Sequence, residues 1–97
     1  MNFYFFANIR INDPQEYQNY LDHVDEIFSK YKGEYLAVDN NPLILEGHWN
    51  YSRAILIRFK SEHDFKLWYE SEEYQHILKY RLRAADCDTI LIKGKIN

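Results

Sequence analysis

An amphipathic helix with a clear start signal is predicted for the segment that follows Asp13. The Asp13 side chain can accept hydrogen bonds from free backbone N–H groups, and Pro14 suits the first helical position because it lacks the N–H that would be unpaired there. Glu16 lies three residues after the cap, as in a capping box. Gly33 is expected to end the helix in a left-handed conformation. Between them the apolar residues recur at helical spacing, as Tyr17, Tyr20, Leu21, Val24, Ile27, Phe28 and Tyr31.

Two further caps predict a second helical region after position 60. Ser61 with Asp64 begins one helix, and Ser71, followed by two glutamates, begins another. The apolar residues of these helices are Phe65, Leu67, Trp68 and Tyr69 in the first, and Tyr74, Ile77, Leu78, Leu82 and Ala85 in the second. We therefore expect two short helices before the last strand.

Strand-like segments account for most of the remaining chain, because apolar residues there alternate or run continuously between turn residues. They lie at residues 3–11, 34–38, 43–46, 54–60 and 88–93. The sequence Asp-Asn-Asn-Pro at 39–42 predicts a turn between the second and third of these strands, and Gly47 ends the third.

The order of these elements is β-α-β-(β)-β-α-α-β, which is typical of an α+β fold. It predicts a ferredoxin-like βαββαβ protomer with helices on one face of an antiparallel sheet. The other face is expected to carry Tyr4, Phe6, Leu36, Leu56 and Leu91. Exposed apolar surface of this kind usually marks an interface. The sequence therefore predicts a twofold homodimer in which two sheets pack face to face.

Length and charge narrow the possible partners. A chain of 97 residues is expected to form one domain, residues 1–97. A net charge of −3 at pH 7 argues against nucleic acid or an anionic membrane as a partner. No apolar run reaches the roughly 20 residues of a membrane helix, and the first residues do not form a signal peptide pattern. The single cysteine, Cys87, excludes an internal disulfide framework, so we expect a cytoplasmic protein.

Four segments, spread over nearly the whole chain, carry a family resemblance. They are DPQEY at 13–17 with Tyr20, KYKGEYL at 30–36, LEGHW at 45–49 with Arg53 and Phe59, and WYESEEYQ at 68–75 with Arg81. In this order they resemble the proteins labelled domain of unknown function 1330, within the dimeric α/β-barrel superfamily. The resemblance implies a ferredoxin-like protomer and a dimer whose sheets form a barrel. It implies no activity, since similar superfamily members include cofactor-free monooxygenases, isomerases and haem enzymes.

The chain departs from that family pattern at several positions outside the apolar stripes. Glu34 stands where the family often has Arg, and Arg58 replaces a frequent acidic residue. These two departures change charges that can face a ligand.

Arg81 is the most unusual residue of the last helical stripe. Tyr74, Ile77 and Leu78 place the next inward position at 81 or 82, so a guanidinium is expected on or beside the buried stripe. An unpaired buried charge is very costly, so Arg81 needs a partner. In one interpretation the partner is a ligand carboxylate or enolate. In others it is Glu46 or another acid, or the side chain reaches solvent at the rim.

Glu46, Trp49 and Arg53 flank the loop before the fourth strand-like segment. Glu46 is a candidate general base if it is buried. The alternative is an exposed carboxylate that pairs with Arg53 at a sheet or dimer edge. Trp49 is a candidate anchor at the dimer interface or a candidate pocket wall.

Tyrosine is unusually frequent, with nine in the chain. Tyr17, Tyr35, Tyr69 and Tyr74 are candidates to place hydroxyls in a cleft between helices and sheet, where phenols can orient an enol or a carbonyl. Trp68 is a candidate wall of the same cleft. The alternative is that these tyrosines belong to the core, with each hydroxyl at the solvent edge.

The four histidines and the single cysteine form no recognisable metal or nucleophile motif. No pair of histidines has helical i, i+4 spacing, so neither a metal nor a cofactor is expected. His76 is the one histidine considered as an acid or base, although a surface position fits it as well. Cys87 lies between two aspartates, which disfavours a thiolate nucleophile.

Two interpretations of function remain open. In the first, a dimer binds a small, partly apolar metabolite in a tyrosine-rich cleft, through Tyr17, Tyr35, Arg53, Trp68, Tyr74 and Arg81. If that protein is an enzyme, the resemblance implies cofactor-free monooxygenase-like or isomerase-like chemistry, with Glu46 or His76 as the base. In the second, the dimer is a non-catalytic structural or interaction protein.

Overall fold

A computed structural model of the protein describes residues 1–96. Its elements are β1 (Phe3–Ile11), α1 (Pro14–Phe28), β2 (Glu34–Asp39), β3 (Arg53–Phe59), α2 (Glu62–Tyr69), α3 (Glu72–Ala84) and β4 (Ala85–Lys93). The strands form one antiparallel sheet in the order β2-β3-β1-β4, and the helices pack on one face of it. The α+β class and the ferredoxin-like βαββαβ order are confirmed. None of the helices in this range is long and apolar enough to cross a membrane.

Strand register decides which side chains face the helices. Phe5 of β1 lies opposite Ile57 of β3 and Leu91 of β4, so all three share the inner face of the sheet. Phe5 and Ile57 are buried in the core, and Leu91 packs against it. The prediction that Leu91 points away from the helices is wrong, because its alignment with Phe5 fixes it on the opposite side.

The outer face of the sheet is apolar at its centre. Phe6 lies opposite Leu56 and Ile90, and Tyr4 lies opposite Ile92. Tyr4, Phe6 and Leu56 are half-buried, whereas Ile90 and Ile92 of β4 are 56% and 42% exposed. None of the three helices in the described residues covers this face, so an exposed apolar patch lies where the sequence predicts one.

The edge strand β2 pairs with β3 through a register shift between Tyr35 and Ala37, and Leu36 lies exposed at this irregularity. On the neighbouring rung, Glu34 forms an ion pair with Arg58 across the two strands. These are the two departures from the family pattern noted above, and together they exchange the signs of the two charges. Glu34 and Arg58 therefore still attract each other across the strands, and each charge has a partner within the chain.

Each predicted helix cap is present, because a side-chain oxygen accepts a hydrogen bond from the backbone N–H three residues later. The pairs are Asp13 with Glu16 at 3.1 Å, Ser61 with Asp64 at 3.0 Å, and Ser71 with Tyr74 at 3.2 Å. The division of the second helical region into α2 and α3 is thereby confirmed.

The end of α3 differs from its prediction. The helix passes into β4 between Ala84 and Ala85, and the Ala84 carbonyl accepts hydrogen bonds from the N–H groups of Asn12 and Asp13. Ala85 therefore begins a strand instead of continuing the helical stripe, and β4 starts three residues before the predicted position 88. Leu82, predicted to face inward, is exposed, because Arg81 occupies the inward position.

A glycine is needed at position 33 because there is no room for a side chain, and not because of its backbone conformation. α1 ends at Phe28, with Ser29 as its cap, so Tyr31 and Gly33 lie beyond the helix. The only glycine with a positive φ in the described residues is Gly47, so the expected left-handed terminator at Gly33 is wrong. A Cβ at Gly33 would instead overlap the Phe28 ring and lie 2.7 Å from Cε1 of Phe59.

Residues 40–52 form an irregular loop between β2 and β3. The predicted strand at 43–46 is wrong, because in the described residues this segment pairs with no strand and the outer edge of β2 stays free. Its leucines, Leu43 and Leu45, are 85% and 84% exposed. Gly47, with φ of +83°, turns the chain back toward β3.

Candidate functional site

A cavity of about 350 Å³ lies between the sheet and the helices. This volume is at the lower end of the range for small-molecule sites. Its apolar lining consists of Phe5, Ala7, Ile9, Leu21, Val24, Val38, Ile55 and Ile57, and its polar or amphipathic lining of Tyr20, Asp25, Tyr35, Arg53, Trp68 and Arg81. The cavity therefore combines apolar walls with a few hydrogen-bonding groups.

Arg81, in the last turn of α3, lines this cavity and is only 2% exposed. Its guanidinium carbon lies 5.7 Å from the centre of the Tyr20 ring, as in a cation–π contact. Its Nη1 has no hydrogen-bond partner. No ion pair within residues 1–96 involves Arg81, so the pairing with Glu46 considered above is absent there. The burial of Arg81 also excludes the alternative in which its side chain reaches solvent at the rim.

Tyr20 and Tyr74 join α1 to α3 beside this guanidinium. Their hydroxyl oxygens lie 2.8 Å apart in a buried hydrogen bond. Burial raises the pKa of both phenols, that of Tyr20 well above its ordinary value of 10.0, so both are neutral at physiological pH. Tyr20 lines the cavity, yet it was not among the site candidates predicted from the sequence. Its signals in the sequence are its place on the α1 stripe, which it shares with core residues, and its place in a segment that carries the family resemblance.

Arg53, at the start of β3, brings a second guanidinium to the cavity. Its guanidinium carbon lies 5.9 Å from the centre of the Tyr17 ring. Nη1 donates a hydrogen bond to Oδ1 of Asn40 at 2.6 Å, while the buried Nε has no partner. Arg53 has no ion pair with Glu46 in the part of the chain that the structure describes. An amide holds it in place, and its charge stays unneutralised.

Trp68 and Tyr35 complete the aromatic wall. Trp68 is buried, its ring centre lies 4.3 Å from that of Tyr74, and its indole Nε1 has no acceptor. Tyr35 packs against Phe28 with ring centres 4.5 Å apart. Burial, assisted by the charge of Asp25, raises the pKa of Tyr35. Asp25 itself is exposed and is the one carboxylate among the lining residues of the described chain.

The structure brings together only part of the predicted site. Of the ligand-binding candidates, Tyr35, Arg53, Trp68 and Arg81 line the cavity, whereas Tyr17 and Tyr74 do not. Tyr69 also lies outside the lining and packs on Phe65, with ring centres 5.2 Å apart. The phenols of the lining are therefore those of Tyr20 and Tyr35.

Both candidate bases lie away from the cavity. Glu46 is exposed and borders, with Trp49, a hollow in the loop 42–46. His76 is exposed in a groove between α1 and α3 that also contains His23. Within residues 1–96, no cluster of three or more His, Cys, Asp or Glu side chains is suited to hold a metal ion.

Three of the six polar or amphipathic residues that line the cavity can only donate hydrogen bonds. Arg53, Trp68 and Arg81 each carry a buried N–H group without an acceptor. Arginine and indole nitrogens can only donate, so only an acceptor atom can pair with these groups. Carboxylate, enolate and carbonyl oxygens are acceptors of this kind.

A family model and several solved structures match this chain. The family model, described as domain of unknown function (DUF1330), matches residues 2–95. No curated protein matches the sequence. Protein RPA0582 of Rhodopseudomonas palustris, of unknown function, has a TM-score of 0.80 at 16% identity, over 99% of this chain and 84% of that one.

Two further structures bear on assembly and chemistry. A dimeric ferredoxin-like protein of unknown function from Thermobifida fusca has a TM-score of 0.69 at 15% identity, over 95% of this chain and 90% of its own. SnoaB, a cofactor-independent oxygenase from Streptomyces nogalater, has a TM-score of 0.69 at 10% identity, over 99% and 95% of the two chains. At such identities the likeness shows the fold alone.

Proposed function

For this chain, which belongs to the family described as domain of unknown function (DUF1330), we propose that it binds a small, partly apolar, anionic metabolite in the cavity between helices and sheet. Arg81 is the anchor of this ligand. Trp68, Tyr20 and Tyr35 form the aromatic wall against which its apolar part packs. The buried side chains of β1 and β3 form the opposite wall.

The environment of Arg81 is the observation that carries the proposal. An arginine keeps its charge at physiological pH, and burying that charge without a counterion costs several kcal/mol. Within the described residues, Arg81 meets the Tyr20 ring and no carboxylate. A ligand carboxylate offers two oxygens in the fork geometry of a guanidinium, so it neutralises the charge and satisfies the free Nη1.

A matched pair of arginine variants tests this proposal, with benzoate as the probe. Arg81→Gln removes the buried charge, whereas Arg83→Gln removes an exposed one that pairs with Glu16 at 3.1 Å. The measurement is the indole N–H resonance of Trp68 in ¹⁵N spectra during titration, with Trp49 as the internal reference. We expect benzoate to shift the Trp68 resonance in the wild type and in Arg83→Gln, but not in Arg81→Gln.

The contrary outcomes are equally clear. Shifts that persist in a folded Arg81→Gln variant would remove Arg81 as the anchor. No shift in any form, together with a lower melting temperature of Arg81→Gln, would favour the alternative that these residues only pack a structural or interaction dimer.

We propose in addition that the protein is a homodimer in which the outer faces of two sheets pack together. The proposal is supported by the exposure of Ile90 and Ile92 beside half-buried Phe6 and Leu56. A monomer leaves this apolar surface in water, which is unusual for a soluble chain. The dimeric Thermobifida fusca protein with the same fold is consistent with it.

The enzymatic alternative is cofactor-free chemistry of the kind that SnoaB represents. An oxygenase or isomerase of this kind needs a base beside the bound substrate. Glu46 and His76 border other surfaces of the protomer, and the one carboxylate in the lining is Asp25. We therefore propose binding as the function and Asp25 as the first position to replace if turnover is found.

We also propose the cytoplasmic location and the absence of nucleic-acid or membrane partners that the sequence led us to expect. A free, half-buried Cys87 fits a reducing, cytoplasmic environment. The net charge of −3 supports partners other than nucleic acid or membranes.

A further inference from the structure

Two guanidinium groups line one small cavity, and neither has a carboxylate partner within residues 1–96. Arg81 lies over the ring of Tyr20, and Arg53 lies over the ring of Tyr17. These two rings belong to α1, and their centres are 5.7 Å apart. The two guanidinium groups, one from β3 and one from α3, therefore rest on neighbouring rings of α1, and both arginines line the cavity.

Each guanidinium is held in place and still has a free donor. Nη1 of Arg53 is bound to Asn40, while its buried Nε has no acceptor. Nη1 of Arg81 has no acceptor either. A fixed side chain with a free donor loses little conformational entropy when an acceptor arrives, which favours binding.

The charges in the lining do not balance. Asp25 is the one carboxylate there, it is exposed, and no ion pair joins it to either arginine. The rest of the lining is apolar or aromatic, with Val24, Ile55 and Ile57 buried. Two unpaired cations attract anions more strongly beside apolar walls than in water, because the effective dielectric constant is lower.

We propose that the ligand carries two acidic groups joined by a short apolar segment, with one group bound by Arg81 and the other by Arg53. This inference rests on the proposed function, since it keeps Arg81 as the anion anchor and adds a second anchor. A short aliphatic or aromatic dicarboxylic acid has the required chemistry. The cavity volume of about 350 Å³ suits a small acid of this kind.

The test compares acids that differ only in the second carboxylate. Benzoate is paired with isophthalate and hexanoate with adipate, so that one rigid and one flexible spacing are covered. Affinities are measured by calorimetry, and binding at each site is followed through the Arg Nε–H and Trp68 indole resonances. Because a charge-assisted contact is strong, we expect at least one dicarboxylate to bind about tenfold more tightly than its partner acid.

Variants assign that preference to Arg53. We expect Arg53→Gln to remove the dicarboxylate preference while monocarboxylates still bind, and Arg53→Lys to keep part of it. Arg83→Gln, the exposed control, is expected to change neither. If Arg53→Gln does not fold, the spectra of the wild type test the role of Arg53. We then expect the dicarboxylates, and not the monocarboxylates, to shift the Arg53 Nε–H resonance.

Failure of this inference can be told apart from failure of the proposed function. Equal affinities for both acids of each pair, with binding still lost in Arg81→Gln, overturn the two-anion ligand and leave the single anchor intact. A dicarboxylate preference that survives Arg53→Gln also overturns it. Absence of binding by all four acids overturns both.

Discussion

The hydroxyl groups of Tyr20 and Tyr74 share a buried hydrogen bond of 2.8 Å that links α1 to α3 next to the guanidinium of Arg81. It is surrounded by aromatic rings, with the ring centre of Trp68 lying 4.3 Å from that of Tyr74. The Arg81 guanidinium is the charged neighbour of this pair, and it also lies within hydrogen-bonding reach of Tyr74. The pair therefore fixes the position of the Tyr20 ring against which Arg81 rests.

We expect Tyr20→Phe to destabilise the protein by about 1–3 kcal/mol, because it removes the hydrogen bond between the two buried hydroxyl groups. Chemical denaturation measures this change in the free energy of unfolding. Tyr80→Phe is the control, since Tyr80 is half-buried on the same helix as Tyr74. The double variant Tyr20→Phe/Tyr74→Phe should be less destabilised than the sum of the single changes. Additive effects would show that the hydroxyls do not depend on each other.

Gly33→Ala should destabilise the protein by about 1–3 kcal/mol through overpacking, since the added Cβ meets the rings of Phe28 and Phe59. Gly47→Ala provides the contrast. Gly47 has open space around it and a φ of +83°, so its variant suffers only backbone strain of about 1–2 kcal/mol. The two variants should separate in a second test, because Phe28→Leu removes the ring atoms that lie closest to the methyl group added by Gly33→Ala but does nothing for Gly47→Ala. If Phe28→Leu does not reduce the additional loss of stability caused by Gly33→Ala, the steric explanation is wrong.

Stability should decline in alkaline solution because of the buried tyrosines. Burial raises the pKa of Tyr17, Tyr20 and Tyr74 in the folded state above the ordinary value of 10.0 that applies after unfolding. The stability that their neutral forms contribute is therefore complete below pH 10.0. It is lost as the pH rises toward their folded-state pKa values, since the unfolded state releases protons first. Denaturation midpoints on both sides of pH 10.0 check this, and Tyr20→Phe should flatten the decline.

Glu73 should make the packing of the segment after α1 against α3 sensitive to acid. It accepts hydrogen bonds from Lys30 at 3.0 Å and from the Tyr31 hydroxyl at 2.8 Å, and these contacts lower its pKa below the ordinary 4.5. Its contribution to stability is thus present above pH 4.5 and lost as the pH falls through the lowered value. Glu73→Gln should reduce the acid dependence of the melting temperature, whereas Glu72→Gln, at the exposed neighbour, should not.

The proposed dimer makes its own prediction at Ile90. This side chain is 56% exposed in the protomer, so Ile90→Glu should leave the fold of a monomer intact. In a dimer joined by the outer sheet face, the carboxylate introduced by Ile90→Glu would be buried at the interface, so the variant should dissociate into monomers. Sedimentation velocity at micromolar concentration should show a dimer for the wild type and a monomer for Ile90→Glu. Leu82→Glu, at an exposed position of α3, should remain dimeric, and a monomeric wild type would refute the interface.

Local signals account for what the sequence predicted well. Caps such as Asp13, Ser61 and Ser71 act within three or four residues, so their chemistry is visible in the sequence alone. The spacing at which apolar residues recur distinguishes strands from helices, and it too is visible in a short stretch of sequence. The element order apart from the strand at 43–46, the ferredoxin-like class and the position of Arg81 on or beside the buried stripe followed from these short-range rules.

Long-range placement accounts for what it predicted poorly. The face of Leu91 depends on its register with Phe5, which lies at the other end of the chain. The segment 43–46 has strand composition but no neighbouring strand to pair with. Tyr20 gained its place in the cavity lining from the packing of α1 on the sheet, which its spacing on the stripe does not reveal.

The strand order gives the loop at 40–52 an unexpected property. β1 sits between β3 and β4, so the chain before the loop is hydrogen-bonded on both sides by the chain that follows it. The exposed leucines of the loop are natural points for a protease to cut. A single cut there would produce two fragments that stay associated through the backbone hydrogen bonds of the sheet until a denaturant separates them. Two fragments divided within this loop and produced from separate genes are therefore expected to reassemble by pairing of β1 with β3 and β4.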